Sequence, residues 1–298
     1  LIFHSLRVLN ARSVRGKIPD LFFLVSTNLD CFFCISETWL NDKYTNALFL
    51  DILRTHNVVR ADRNQHGGGV LILIPRKFVH IEVSVESNDF FDAVVVDILH
   101  SDDVLFRLFS MYRTPSPNIH ASTDRLLQFV RLHHSPNNLN VIVGDFNYPK
   151  IKWLTDDTQM PPAEFNFYSC LMELGFNQIV DKPTHILGNL LDLVLIDNEA
   201  FYSNVTIQNP LSNSDHYVIS VEIGPFNVIK KAKTARFYNY KKSNFGRIDA
   251  ELAAVDWDTL FQGLTDINLI WQAFLEVFLP ILHRHTPQHA STTGPRTD

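Results

Sequence analysis

Eight short apolar runs, at residues 4–9, 30–35, 69–74, 93–98, 105–111, 140–143, 191–196 and 216–223, have the length and side-chain character of β-strands. Several follow one another through polar or Pro/Gly-containing loops with no helical crossover between them, and this succession most restricts the fold. A doubly wound parallel sheet needs a helix at each crossover, so the pattern favours a layered α/β sandwich. Helical spacing fills some of the gaps. Residues 15–29 place Ile18, Leu21, Phe22 and Val25 on one face, residues 124–133 place Leu126, Leu127 and Val130 likewise, and residues 162–174 do so with Phe165, Tyr168, Leu171 and Met172. There is no internal repeat.

A chain of 298 residues with 46% hydrophobic and 19% charged residues has ample core material, which excludes a disordered, collagenous or disulfide-dense class. The longest apolar stretches, 70–75 and 93–96, are far short of a membrane span, so no membrane partner is expected. Cys31 and Cys34 lie in a strand-like run where positions three apart face opposite sides, so they read as buried strand rather than as a zinc or redox pair, in a reducing compartment. The net charge of −6 means that attraction to a polyanion has to come from local basic patches.

Such a patch follows residue 223. The stretch up to Asp249 has no acid and carries Lys230, Lys231, Lys233, Arg236, Lys241, Lys242 and Arg247, interleaved with Phe237, Tyr238, Tyr240 and Phe245. Cations that pair with phosphates beside rings that stack on bases suit single-stranded nucleic acid; a solvated linker has the same composition. The expected organisation is one domain at 1–224, a basic aromatic linker at 225–267, an amphipathic helix at 268–285 and a disordered tail at 286–298. The opening at Leu1, without a signal-peptide pattern, reads as an excised fragment.

Polar residues cluster where the strand-like runs end. Asn10 follows the first run, Glu37 the second, and Asp145 and Asn147 the run closing at Gly144; Asp192 lies inside another, and Asp215 and His216 open the last. A carboxylate at the tip of an apolar strand is costly to bury alone, so Glu37, Asp145 and Asp192 each call for a cation, a donor or water. Convergence on one site answers all three. Oxygen donors of this kind suit Mg²⁺, or Mn²⁺ in its place, better than zinc. Gly67–Gly69 lack a following Lys-Ser/Thr and read as a tight turn; Trp39 and Trp153 read as core anchors; Asp62 and Arg63 read either as a surface ion pair or as neighbours of a DNA groove.

The segments NARS (Asn10), SETWL (Glu37), MYRTP (Tyr112), GDFN (Asp145, Asn147), LLDLVL (Asp192) and SDHY (Asp215, His216) occur in the order found in the endonuclease/exonuclease/phosphatase superfamily. ADRNQHGGGV, Trp153 after GDFNYPKIKW, and KPTH at 182–185 further resemble the apurinic-endonuclease-like domain of non-LTR (LINE-type) retrotransposon polyproteins. The resemblance covers roughly residues 1–224, and the later helix is similar to the connector leading to a reverse transcriptase. It implies a four-layered α/β sandwich of two packed mixed β-sheets flanked by helices. It also implies a Mg²⁺-dependent DNA endonuclease that leaves a 3′-hydroxyl to prime reverse transcription, acting in the nucleus.

By the same resemblance Glu37 is the metal-binding glutamate, with Asn10 and Asp215 in the metal or water shell. Asp145 orients or deprotonates the attacking water, or else assists the leaving oxygen. Asn147 and Tyr112 hold the phosphate, and His216, oriented by Asp192, stabilises charge or moves a proton. Arg12, Arg63, Arg113 and Lys150 are the expected substrate contacts at the edge of the site, and element RNA is a second expected partner, at residues 230–247. Arg12 stands where repair-type relatives carry a second acid, which makes abasic-site specificity unexpected. No Tyr-x-Asp-Asp motif occurs, so a reverse transcriptase is not expected within this chain. Two other functions stay open: a metal-dependent phosphatase of the same superfamily, and a catalytically silent fragment that only binds nucleic acid.

Overall fold

The computed structural model describes residues 2–100, 103–153, 159–226, 234–264 and 266–292. The chain divides into two compact units, Leu1–Val228 and Ile229–Asp298. In chain order the first holds β1 (Ile2–Asn10), α1 (Ile18–Ser26), β2 (Phe32–Ser36), β3 (His56–Ala61), β4 (Val70–Pro75), β5 (Val79–Ser87) and β6 (Phe91–His100). There follow β7 (Asp103–Arg113), α2 (Ile119–His133), β8 (Leu139–Asp145), α3 (Pro162–Glu173), β9 (Asn177–Gln178), β10 (Asp192–Ile196), β11 (Tyr202–Gln208) and β12 (Val218–Phe226).

The strands form two six-stranded sheets, ordered β11-β12-β1-β2-β4-β3 and β5-β6-β7-β8-β10-β9. Each is mixed: β1–β2 and β7–β8 are parallel, joined through α1 and α2, while the other neighbours are antiparallel. Alternation along each strand builds three apolar layers. Leu6, Val8, Cys34, Val96, Leu108, Val141 and Val194 fill the space between the sheets. Their neighbours in sequence face outward, Leu9 and Phe33 toward α1, and Ile142, Leu193 and Leu195 toward α2 and α3. The result is the four-layered sandwich that the resemblance implies. All three cysteines are buried and free, with Cys31 and Cys34 in different layers, as positions three apart require.

The helices begin where local chemistry sets them. Asn118 caps α2 by accepting from the Ala121 amide at 3.2 Å, and α1 and α3 each carry proline in the first turn. Two expected stripes hold in part: Ile18, Leu21 and Val25 of α1 and Tyr168 and Leu171 of α3 pack on the core, and the other expected residues do not. In α3 the buried residues are Ala163, Glu164, Phe167, Cys170 and Leu171, while Phe165 and Met172 are exposed; in α1 Leu21 and Val25 are buried, and Phe22 is exposed. Both helices are rich in apolar residues on more than one side, so several phases fit the sequence and only packing selects one.

The second unit differs from the expected linker and tail. The range 225–267 holds β13 (Thr234–Tyr238), α4 (Phe245–Ala253) and α5 (Trp257–Phe261), and β14 (Gln288–Thr292), inside the expected tail, pairs antiparallel with β13. The amphipathic helix is present as α6 (Ile267–Arg284), where Trp271, Phe274 and Phe278 stack along one side. Lys230, Lys231 and Lys233 lie outside the described residues. Among the described residues no helix is long and apolar enough to cross a membrane.

Candidate active site

The parallel strands β1, β2, β7 and β8 all run toward one end of the sandwich, where β10 and β12 begin, so the polar residues at those six strand ends meet there. Asn10 closes β1 and is fully buried. Its amide nitrogen donates both protons to carboxylates, at 3.1 Å to Glu37 Oε1 and at 2.9 Å to Asp145 Oδ2, and its Oδ1 accepts from the Arg12 amide at 2.9 Å. One amide thereby joins acids from the two sheets.

Glu37 follows β2 in a left-handed turn, with φ of 50° at Glu37 and 55° at Trp39. Its second oxygen accepts the indole N–H of Trp39 at 2.9 Å, and the Tyr112 hydroxyl is a further hydrogen-bond partner. Burial, followed by the charges of Glu37 and Asp145, drives the Tyr112 hydroxyl upward, so it stays a donor. Trp39 is therefore more than the expected core anchor, since its polar edge serves the glutamate, whereas Trp153 packs edge-on against Phe167.

Asp145 ends β8 one residue after Gly144, whose φ of 134° brings the backbone so close to β7 that a Cβ would lie 1.8 Å from the Met111 oxygen. Only glycine fits there. Tyr112, Asp145 and Asp192 are register partners across β7, β8 and β10. Asp145 Oδ1 accepts the Asn147 amide at 3.0 Å. Burial and then the neighbouring Asp192 charge raise the Asp145 carboxyl well above the usual range, with His216 opposing. Asn147, with φ of 52°, donates its side-chain amide to the Arg113 carbonyl at 2.8 Å.

His216 Nδ1 meets Asp192 Oδ2 at 2.7 Å, and the Asp192 amide donates to Thr184 Oγ1 at 3.0 Å. Burial of the ring works against its charge, but the hydrogen bond and charge of Asp192, reinforced by Asp145 and Asp215, push His216 up to about 9. At neutral pH the imidazole is a cation. Asp215 forms an ion pair with Arg12 on the exposed rim; its own backbone amide and the Arg12 charge hold its carboxyl below the usual range despite burial.

Sequence reasoning missed His185, which KPTH places beside this group. Its ring stands edge-on to His216 with centroids 4.8 Å apart, and its Nε2 lies 3.4 Å from Asp215 Oδ2. Because the Leu187 amide donates to Nδ1 at 3.1 Å, the ring proton sits on Nε2, facing Asp215. Missed too were Thr184, behind Asp192, and Lys17, whose buried Nζ donates to the Ala11 carbonyl at 2.6 Å.

Two expected substrate contacts are otherwise engaged. Arg113 is buried, with its guanidinium 4.1 Å above the Tyr148 ring and donating to the Phe146 and Asn147 carbonyls, so it holds the loop after β8 and does not reach solvent. Arg63 is turned inward onto Asp92, Thr114 and Asn88. It does not pair with Asp62, whose partner is Arg60 at 3.1 Å. Lys150 is exposed. Gly68 and Gly69, both at positive φ, make the expected tight turn.

The donor set fits a hard divalent cation. Oxygen ligands predominate, and Asp192 Oδ1 and Asp215 Oδ1 are buried with no hydrogen-bond partner. Among the described residues, the side chains close enough to share one ion are Asp145, Asp192 and His216, and His185, Asp215 and His216; the charged His216 ring offers no lone pair, so the carboxylates are the donors of these groups at neutral pH. The ligand set expected from the resemblance, Glu37, Asn10 and Asp215, is divided: Asn10 binds Glu37, and Asp215 lies with Arg12 and His185.

Residues 106–220 match the family described as endonuclease-reverse transcriptase. Among solved structures, the fold is similar to the endonuclease domain of TRAS1, a telomere-specific non-LTR retrotransposon, with a TM-score of 0.58 and 16% identity over 74% of this chain and 98% of that one. An AP endonuclease from Archaeoglobus fulgidus gives a TM-score of 0.57 and 16% identity over 76% and 100% of the two chains. A 3′ phosphatase from Neisseria bound to product DNA hairpin gives 0.55 and 17% over 74% and 100%. No curated protein matches the chain.

Proposed function

We propose that this chain, which shares the fold of these structures and matches the endonuclease-reverse transcriptase family over residues 106–220, is a Mg²⁺-dependent DNA endonuclease that hydrolyses a phosphodiester bond and leaves a 3′-hydroxyl, as in target-primed reverse transcription. The observation that carries this reading is the single Asn10 amide joining Glu37 to Asp145, beside the Asp192–His216 pair. A phosphodiester needs these parts together: oxygen donors for a divalent ion, an acid to handle the water, and a cation for the developing charge. Mg²⁺, or Mn²⁺ in its place, would be held by Glu37 beside Asn10, apart from Asp215, and would neutralise a phosphate oxygen.

The remaining steps belong to the protein. Asn147 positions the phosphate by hydrogen bonding, and Tyr112 joins it by turning its one proton from Glu37 to the phosphate. Asp145 orients or deprotonates water, or assists the departing oxygen. Charged His216, fixed by Asp192, stabilises the negative charge that grows on the phosphoryl oxygens or passes a proton from Nε2. Arg12 and Lys150 contact DNA phosphates from the rim. Residues 230–247 are the candidate contact for element RNA, and the nucleus is the proposed site of action.

The test is conversion of supercoiled plasmid to open circle with Mg²⁺ and with EDTA. Asp145→Ala and His216→Ala should each lower nicking by about 10²–10⁴-fold, the range for removing a proton-transfer or charge-stabilising group. Near-wild-type nicking in either variant refutes the role given to that residue. The similarity to a 3′ phosphatase supports a second reading, phosphoester hydrolysis at a DNA end. Release of inorganic phosphate from 3′-phosphorylated DNA, with intact plasmid left uncut, would select it.

A further inference from the structure

The segment ADRNQHGGGV, residues 61–70, contributes no group that touches substrate in the reading above, yet it contains tightly constrained backbone near the site. Arg63 is turned inward, donating Nε to Asp92 Oδ1 at 3.1 Å and its two terminal nitrogens to Thr114 Oγ1 and the Asn88 carbonyl. Asp92 is fully buried and accepts two further protons, from Ser87 Oγ at 2.5 Å and from the Gly69 amide at 2.7 Å. The Gly68 and Gly69 carbonyls in turn accept the Trp39 amide at 3.0 Å and the Thr38 amide at 3.2 Å. Those residues follow Glu37 in its left-handed turn.

Glycine is required at both steps. At Gly68 a Cβ would lie 2.7 Å from Asp92 Oδ2 and from Arg63 Cδ, and at Gly69 it would lie 2.4 Å from Thr38 Oγ1. Asp92 also neighbours Tyr112 in the β6–β7 register, and Tyr112 holds Glu37 from the other side. A buried ion pair is a weak source of stability compared with an apolar pair of the same size. What it supplies here is directional: three donors and one carboxylate fix where Gly69, and hence the 37–39 turn, must lie.

We infer that Asp92 and Arg63 are positioning residues for Glu37, a buried ion pair that acts through Gly68 and Gly69 to hold the glutamate carboxylate where a divalent cation binds. The inference rests on the reading that Glu37 binds the ion, and the test separates the two. Mn²⁺ binding to the full chain is measured by electron paramagnetic resonance, beside thermal denaturation, for the parent protein, Glu37→Gln, Asp92→Asn and Ser87→Ala. Asn keeps the size of Asp92 and an acceptor for the Gly69 amide but loses the charge opposite Arg63, and Ser87→Ala removes a single donor at an exposed position.

Glu37→Gln should abolish Mn²⁺ binding. Asp92→Asn should weaken it about 10-fold and Ser87→Ala about 3-fold, in keeping with the effect of groups that orient metal ligands. A purely structural ion pair predicts a lower melting temperature with unchanged Mn²⁺ affinity in the folded protein, and that result overturns the inference while leaving the metal reading intact. Full Mn²⁺ affinity in Glu37→Gln overturns the metal reading itself. Should Asp92→Asn fail to fold, Ser87→Ala decides: unchanged affinity refutes the positioning role.

Discussion

Replacing Asp192 by asparagine tests the electrostatics of the site without any assumption about substrate. In the parent protein the surrounding carboxylates push the His216 imidazole up to about 9, although burial alone would carry it below 6.5. The rise is therefore the work of the carboxylates around it, above all the Asp192 Oδ2 contact at 2.7 Å. The net displacement from 6.5 to about 9 corresponds to roughly 3 kcal/mol at about 1.4 kcal/mol per pH unit. An amide in place of this carboxylate offers His216 no charge, which leaves burial opposed only by Asp145 and Asp215. The ring in Asp192→Asn should titrate at least about two units lower. The assay is the pH dependence of the His216 Cε1–H resonance in metal-free protein, assigned by its loss in His216→Gln. Linkage gives the same result a second expression. Because the folded-state value lies above 6.5, this group's contribution to stability is complete below pH 6.5 and is lost as pH rises through about 9. The parent should therefore lose stability across that window, by up to about 1.4 kcal/mol per pH unit from this group, and the variant should not. A His216 that titrates near 6.5 in the parent, or still near 9 in Asp192→Asn, refutes the reasoning.

Three further outcomes follow from geometry already described. Gly144→Ala forces a Cβ against the Met111 carbonyl at a φ of 134°, and should cost more than about 3 kcal/mol in urea unfolding; a variant within about 1 kcal/mol of the parent would contradict the close approach of β7 and β8. Asn118→Ala removes the α2 cap and should cost about 1 kcal/mol, whereas Asn118→Gly should cost only a few tenths. Since Trp39 donates to Glu37, Mn²⁺ should change its fluorescence: the emission difference between the parent and Trp39→Phe should respond to the ion, and an unresponsive difference would separate Glu37 from the metal.

What could be read from the sequence, and what could not, divides along physical lines. All eight apolar runs are interior strands, β1, β2, β4, β6, β7, β8, β10 and β12; β2, β4, β6, β8 and β10 are buried almost throughout and so nearly continuously apolar, while β1 and β12 alternate buried with half-buried positions. In these two sheets the strands outside the runs, β3, β5, β9 and β11, are the four edges. In β5 most positions are exposed, and its apolar residues alternate with polar ones as on a one-faced strand, a pattern that continuous apolar runs do not show. The strand-end acids were visible because a carboxylate after an apolar run is chemically conspicuous. His185, Asp92 and Thr184 carry no such mark, since their importance lies in contacts with residues distant in the chain. Arg63 and Arg113 look in sequence like any surface cation, and only packing turns them inward. The range 225–267 misled because its basic composition resembles that of a linker, although capped helices lie within it.

The place of β1 has a consequence for synthesis of the chain. Within this unit β1 precedes the other strands but lies inside its sheet, between β2 and β12, and Ile2 pairs with Phe226. As the protein leaves the ribosome, one edge of its earliest strand stays open until the last strand of the unit arrives, and so large a sequence separation makes this pairing slow. His216 and Asp215, which lead into β12, are delivered by the same event, and Ser214 then closes onto the Asn10 carbonyl at 2.7 Å. No nascent fragment that stops short of β12 can assemble the site, so a ribosome that stalls within this unit releases a chain without the proposed nicking activity.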